Sequence, residues 1–557
     1  MRSREQALRI IESNAFDLCV IGGGATGAGC ALDAQLRGLR TVLLEGGDFA
    51  GATSSASTKI IHGGVRYLQE AVTHFGLQQY EVVKKSLHER LLMLHNAPFL
   101  TRTLEFVVPC FSWYDVIYYR AGMKVYDWMA RHARLSPSRY ISCEEAIQRF
   151  PALQRARLAG AVVYADGQFD DSRYVIALIR TFTEAGGEAV NYAKVTGFEL
   201  GPTKTLTAAL VEDRIADRPF SVSARAFVNA TGPFSDTVRK LAHPGIEPRM
   251  RPSKGVHIFL PLDGFSDRQA LLIPRTEDGR VIFAVPWRGR LLVGTTDDEA
   301  SVQEEMVVKR SEAEYLLRHL NAYVEPPFSL EQITSGIAGL RPLVGSKGSK
   351  QTKKLVRDDE LEIDESSGLI SILGGKWTTY RAMAERTIDA AQNRLHGMAT
   401  RSITPQHPLS GSDGYHADYA KQLAKEFHIS ADTARHLAEK FGTVAASVLA
   451  PALANPRLLS RIVPDSPSIL AEVVYCIRHE MAMSIEDLLA RRIGLQLFSW
   501  QDAIVAAPIV APSLAEELGW SQTQTQVALK EYTSKINRLM SVAGLAGNPS
   551  DASLATP

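Results

Sequence analysis

Between Ser57 and Leu68 the chain reads STKIIHGGVRYL, which places Lys59, His62, Arg66 and Tyr67 around the pair Gly63-Gly64. Cations on a backbone hinge suit the capture of a small anion. Ammonium and guanidinium groups make charge-assisted hydrogen bonds to it, and glycine lets the chain approach closely. The same residues also suit a solvated basic loop. Three residues elsewhere carry comparable chemistry. His257, at the start of an expected strand in SKGVHIFLP, is of a type that exchanges a proton near neutral pH. Arg341, in AGLRPLVG, precedes a proline on an expected loop entering the nucleotide domain. Lys376 follows Gly374-Gly375 where a helix should open. A cation there opposes the helix dipole unless an anion sits with it.

Something must position these groups, and the first element able to do so lies just upstream. Gly22, Gly24 and Gly27 form G-x-G-x-x-G directly after the apolar run Phe16–Ile21 and before a helical pattern ending near Leu36. In such a unit the first glycine makes the tight turn, the second admits a pyrophosphate, and the third lets helix and strand pack closely. TVLLE then reads as a second strand closing on Glu45, where an acid accepts ribose hydroxyls. This βαβ unit predicts a dinucleotide. Two later stretches favour FAD over NAD. One is the strand-to-turn Ala230-Thr231-Gly232 in VNATGPFSD. The other is the turn at Gly375 in LGGKWTTYR, opening a helix that aims its dipole at a flavin ring. With no second G-x-G-x-x-G, electrons should enter from a substrate and leave by another route.

The wider chain is consistent with a soluble, multidomain enzyme. Its 557 residues exceed one core, and 45% hydrophobic with 22% charged residues is ordinary for a globular protein. A formal charge of +1 gives no global field for nucleic acid, so any anion site is local. Cys19, Cys30, Cys110, Cys143 and Cys476 are scattered without paired spacing, which argues against disulfides, a metal site or a dithiol centre. The N-terminal residues lack a signal-peptide pattern, and no run reaches the length of a membrane span. Short β-like runs over 250–300 predict an antiparallel sheet. After the polar linker TPQHPLSGSDGYH the pattern is helical to about Leu545, and the tail AGNPSDASLATP is small and polar.

The stretch IGGGATGAGCALDAQLRGLRTVLLEGGDFAGATSSASTKIIHGGVRYL closely resembles the FAD-dependent glycerol-3-phosphate dehydrogenases of the quinone-linked type, and GLRPLVG, LGGKWTTYR and DLLARRIGL look like further blocks of that family. The resemblance implies an α/β fold: a discontinuous Rossmann-like FAD-binding domain (15–85, 155–240, 330–400), an antiparallel-sheet substrate domain (86–154, 241–329) and a C-terminal helical cap (404–545). It implies oxidation of sn-glycerol 3-phosphate to dihydroxyacetone phosphate, with hydride passing from C2 to flavin N5 and electrons to quinone. The enzyme would be cytoplasmic, peripheral on the inner face of the cell membrane, and able to form homodimers. An oxygen-using oxidase and a non-catalytic flavin protein are the alternatives.

By that match Arg66, Tyr67, Arg341, Arg357 and Lys376 bind substrate, and His257 is the base, with His62 behind it. Cofactor contacts would come from Gly22, Gly24, Thr26, Gly27 and Glu45, then from Thr53, Ser54, Ser55, Lys59, His62 and Gly63. Ala230, Thr231, Gly232, Gly375, Lys376 and Thr378 complete the set, and no metal is expected. Two regions remain open to their own reading. On a helical wheel of Trp113–Arg134, Arg120, Lys124, Arg131 and Arg134 fall within about 80° of one another beside Trp113 and Trp128, with Tyr118, Val125 and Met129 opposite. This resembles an interfacial helix whose cations meet anionic headgroups, or a packing helix with a solvated face. Near the C-terminus, Arg491 and Arg492 could reach the FAD domain or a partner.

Overall fold

The computed structural model describes residues 1–63, 77–130, 133, 135–345 and 359–545. Two sheets organise it. The first has the order Asp359–Ile363, Ile370–Gly374, Arg218–Asn229, Phe16–Ile21, Thr41–Leu44, Glu188–Val190. All neighbours are parallel except the edge strand Asp359–Ile363. Phe16–Ile21 and Thr41–Leu44 are almost wholly buried, as a strand covered on both faces must be. The helices Ala25–Leu36, Asp171–Glu184 and Tyr380–His396 pack together over this sheet. The first half of Arg218–Asn229 leaves it to pair with Leu206–Asp213, which pairs in turn with Ala193–Leu200.

The second sheet is mainly antiparallel, with the order Asp298–Glu299, Ser253–Pro261, Arg290–Gly294, Ile282–Trp287, Gln269–Ile273, Thr101–Cys110, Gly160–Phe169, Ile60–Ile61. Ser335–Arg341 also joins it, against Ser253–Pro261. The antiparallel expectation for 250–300 agrees with these pairings. The domain boundaries drawn from sequence move. Gly160–Phe169 pairs residue for residue with Thr101–Cys110, and Ser335–Arg341 with Ser253–Phe259, so both strands leave the FAD segments for the substrate sheet. Gly160–Phe169 is apolar from Ala161 to Ala165 and buried along its whole length, a pattern that fits either sheet, and the partner strand decided.

From Tyr419 to Val542 the described chain is helical and builds its own core around Trp500, Leu488 and Val510. No described helix is long and apolar enough to cross a membrane. The five cysteines are free, all buried except the half-buried Cys143.

Candidate functional site

One cavity of about 1180 Å³ is walled by the ends of the parallel strands, the second sheet and part of the helical region. At its nucleotide end the glycines do what their spacing predicts. Gly22 has φ +112°, and a Cβ on it would stand 2.7 Å from the Ala230 carbonyl oxygen. A Cβ on Gly27 would lie 1.8 Å from the Gly22 carbonyl oxygen, so only glycine lets the helix come this close. That helix, Ala25–Leu36, opens onto the cavity through Gly24, Ala25 and Thr26. Ser54 Oγ accepts a hydrogen bond from the Ala25 N–H at 2.9 Å, capping the helix from a distant loop.

Glu45 follows the strand Thr41–Leu44 and faces the same space. Its carboxylate accepts from the Gly23 N–H at 2.6 Å and the Gly47 N–H at 2.7 Å. Burial raises its carboxyl above the ordinary range against those two bonds. Ala230, Thr231 and Gly232 line the cavity, as do Gly375, Lys376 and Thr378. Gly374 and Gly375 are both left-handed, at φ +74° and +94°, and turn the chain into the short helix Trp377–Thr379. Lys376 is its N-cap, as the sequence placed it. A glycine cradle, a helix N-terminus and an acid on the neighbouring strand fit the pyrophosphate and ribose of a dinucleotide.

The second sheet supplies the reacting end. His257 lies in the middle of Ser253–Pro261, not at its start, and is 2% exposed. Its register partner is Gly294, where a Cβ would stand 2.1 Å from the imidazole Cδ2. Gly294 thus makes the room for the ring. Nε2 lies 2.9 Å from Thr58 Oγ1, and Nδ1 has no hydrogen-bond partner among the described residues. Nδ1 is enclosed by protein, so Nε2, shared with the Thr58 hydroxyl, is the ring nitrogen left to serve the cavity. Burial first, then the charges of Arg341 and Lys59, push the imidazolium down to about 3. The ring is therefore neutral across the working range.

Arg341 also borders the cavity, but it ends the strand Ser335–Arg341 and is not on a loop. Its guanidinium donates to Thr295 Oγ1 and the Thr296 carbonyl, both at 2.8 Å, and pairs with Asp297 at 3.1 Å. One edge of the fork is thereby fixed. Proline after it removes an N–H but leaves the strand intact to that point.

Other expected contacts fall elsewhere. Lys59 does not line the cavity: it is fully buried, with Nζ 2.5 Å from Asp171 and 4.9 Å from the Trp287 ring centroid. Asp171 also binds the Ser57 N–H and hydroxyl, so this pair pins the loop that carries Thr58 to His257. Gly63 packs against Leu87 and Tyr126 and donates to the Tyr126 hydroxyl. Ser55 donates to Ala52. His62, Thr53 and Ser54 do border the cavity. Lys254, on the same strand as His257, faces away to pair with Glu312 at 2.9 Å and does not line the cavity. Arg66, Tyr67, Arg357, Arg131 and Arg134 lie outside the described residues.

Sequence reasoning missed Thr58, Gly294, Asp297 and the wall formed by Lys194 and Val195. Their only signals were a glycine closing a strand in LLVGTTDD and a β-run after the second βα crossover. On the helix Trp113–Ala130, Trp113, Tyr114, Ile117, Val125 and Trp128 are exposed, at 64%, 69%, 68%, 38% and 56%, together with Arg120 and Lys124, so the outer face carries a broad apolar patch beside its cations. Val125 joins that face, and Met129 is buried. Tyr114, Ile117, Tyr118 and Val125 border the cavity. Among the described residues no His, Cys, Asp and Glu cluster is arranged for a metal.

Comparison with known proteins agrees with this geometry. A family model described as FAD dependent oxidoreductase matches residues 17–381, and one described as the C-terminal domain of alpha-glycerophosphate oxidase matches 402–525. The mitochondrial glycerol-3-phosphate dehydrogenase of Rattus norvegicus is 38% identical over 545 residues, covering 95% of this chain and 74% of that protein. The mitochondrial enzyme of Arabidopsis thaliana is 37% identical over 539 residues, covering 93% and 85%. The structure of the glycerol-3-phosphate dehydrogenase from Bacillus halodurans complexed with FAD superposes with a TM-score of 0.78 at 28% identity, covering 98% and 99%. The FAD-bound L-alpha-glycerophosphate oxidase of Mycoplasma pneumoniae shares the fold, at a TM-score of 0.54, 14% identity and coverage of 71% and 99%.

Proposed function

The chain belongs to the FAD-dependent oxidoreductase family and, within it, to the glycerol-3-phosphate dehydrogenases; from that premise we propose that it oxidises sn-glycerol 3-phosphate to dihydroxyacetone phosphate and delivers the electrons to a membrane quinone. The observation that carries the reading is a neutral, buried His257 beside Arg341, in the same cavity as the dinucleotide cradle. Oxidising a secondary alcohol removes a hydride from C2 and a proton from the hydroxyl. FAD, when bound, supplies the two-electron acceptor. His257 takes the hydroxyl proton at Nε2, the nitrogen beside the Thr58 hydroxyl. Arg341 and Lys376 receive the phosphate, whose roughly two negative charges near neutral pH call for forked and point cations. Arg66, Tyr67 and Arg357 are assigned to the same anion by the family likeness. The protein contributes orientation and charge compensation.

The decisive experiment is an anaerobic absorbance spectrum of purified protein before and after sn-glycerol 3-phosphate. We expect the visible flavin bands to bleach. Flavin that stays oxidised would sink the substrate assignment while leaving the cofactor in place.

The acceptor is supported by the helix Trp113–Ala130. Its exposed aromatic and aliphatic face continues into the cavity rim, a suitable landing surface for an apolar acceptor dissolved in lipid. Replacing Trp113 and Trp128, which lie outside the cavity lining, together by Glu is expected to abolish most flotation with anionic liposomes while leaving substrate bleaching intact. Undiminished flotation removes this helix from the membrane contact. An oxygen-using reading draws on the C-terminal match to an oxidase domain. Peroxide yield measured against quinone reduction separates the two.

A further inference from the structure

The C-terminal region meets the substrate sheet, where Ser335 donates to the Leu497 carbonyl, Arg290 donates to the Phe498 carbonyl at 3.2 Å and the Trp500 N–H donates to the Thr334 carbonyl at 3.0 Å. A second set of its polar contacts converges on the loop after Glu45. Asp48, 4% exposed, is gripped by Arg492 at 2.8 and 3.0 Å and by Arg491 at 2.5 Å. Both arginines belong to the π-helical turn Asp487–Arg492. Arg491 also pairs with Asp487 at 2.6 Å, and Asp487 accepts from the Tyr192 hydroxyl at 2.9 Å. Asn191 Nδ2 bridges Asp48 at 3.3 Å to the Met481 carbonyl at 2.8 Å. Arg173 and Glu480 add a fork at 2.5 and 2.7 Å beside them. These contacts span more than 440 residues of chain in the case of Arg491 and Asp48.

What the loop does makes the grip informative. Gly47 O accepts from Tyr192 N–H at 2.8 Å, Glu45 O accepts from Ala193 N–H at 2.7 Å, and Ala50 N–H returns to Gly23 O at 3.0 Å. The loop is thus tied at one end to the ribose-binding acid and at the other to the glycine turn. Glu486, Arg491 and Lys535 stand in the cavity wall with Gly46, Gly47 and Lys194. Lys535 closes on Glu486 at 2.7 Å at this rim. In the sheet order, Thr41–Leu44 is three strands from Ile370–Gly374, roughly 14 Å at the usual strand spacing. The helical region therefore meets the cavity at the end remote from Lys376.

We propose that the C-terminal helical domain is a cofactor clamp, holding the Glu45–Ala50 loop through Asp48 and closing the adenosine end of the FAD cleft. Asp48, Arg491 and Arg492 are positioning residues in this scheme. The proposal rests on FAD being the bound dinucleotide. A buried carboxylate between two guanidinium groups keeps its place only while all partners remain, since loss of one leaves a buried charge uncompensated.

The test is the rate of FAD loss from purified holoenzyme, followed by the rise of flavin fluorescence on dilution. Asp48→Asn and Arg491→Met should release FAD at least tenfold faster, and Arg491→Lys should recover part of that loss. Added FAD should restore kcat, with KM for sn-glycerol 3-phosphate staying at the wild-type value. Lys535→Ala, at the half-exposed rim, should release FAD severalfold faster without any change in the far-UV circular dichroism spectrum or melting temperature. That variant decides the matter if Asp48→Asn does not fold. Wild-type release rates in folded Asp48→Asn, or in Lys535→Ala where Asp48→Asn is unfolded, overturn the clamp while the flavoenzyme reading stands. A KM that rises in step with FAD loss also overturns it, since the region would then act on the substrate end. A folded wild-type protein without flavin would instead remove the premise.

Discussion

Replacing His257 by Gln should slow substrate bleaching of the flavin by about 10²–10⁴-fold, the usual worth of a positioned general base, with flavin content unchanged. Glutamine fills much of the imidazole space and can still meet Thr58 Oγ1, but it accepts no proton at working pH. Rapid-mixing absorbance measures the step directly. A loss under fivefold would pass the role to His62, which borders the same cavity. The pH dependence has a definite sign. In the free enzyme His257 is held down to about 3 by burial, Arg341 and Lys59, so it is already unprotonated well below neutrality. Bound substrate brings about two negative charges near it, which favours the imidazolium and raises its pKa. The acidic limb of kcat should therefore lie above that of kcat/KM. Stability carries the same imprint. As pH falls below about 6.5, the unfolded chain binds the proton before the folded one does. His257 thus withdraws stability progressively from about pH 6.5 down to its folded pKa, and contributes no such loss above that window. Denaturant midpoints of His257→Gln should fall less steeply than wild type between pH 6 and 4.

Arg341→Met should raise KM for sn-glycerol 3-phosphate about a hundredfold, corresponding to about 3 kcal/mol, as loss of a charge-assisted fork to a dianion should. Arg341→Lys should recover little, because a single ammonium cannot reproduce a fork already fixed on Thr295, Thr296 and Asp297. Inorganic phosphate separates phosphate binding from a purely structural role. In the wild type it should compete with substrate, and in Arg341→Met that inhibition should weaken by the same factor as KM. Raised KM with unaltered phosphate inhibition would mean that Arg341 acts by bracing the strands Ser253–Pro261 and Arg290–Gly294 rather than by meeting the anion.

Much of the nucleotide end was legible because its rules are local. The glycine spacing, the strand before it, the helix after it and the acid closing the next strand all fall between Phe16 and Glu45. Gly27 is required by the Gly22 carbonyl five residues back, and Gly22 by one neighbouring strand end at Ala230. Lys376 at a glycine turn was legible for the same reason: a helix start is a short-range event. Gly294 escaped notice because its purpose, clearing space for His257, exists only across a strand pair.

Composition and periodicity by themselves determined that the chain holds a dinucleotide domain, an antiparallel sheet and a helical region, and which residue types were available for anion and proton chemistry. The tertiary structure alone decided who met whom. Lys59 reads as a cationic site residue, yet Asp171, 112 positions away, takes its ammonium into the interior. Arg341 reads as a loop residue, yet pairing with Ser253 makes it the end of a strand. Gly160–Phe169 could serve either sheet until Thr101–Cys110 claimed it. The helix Trp113–Ala130 shows a wheel but not which side of it will be covered. The common reason is that a period tells which face of an element is apolar, while the element that covers it, and the charge that neutralises a buried cation, come from remote chain segments whose placement is a property of the whole fold.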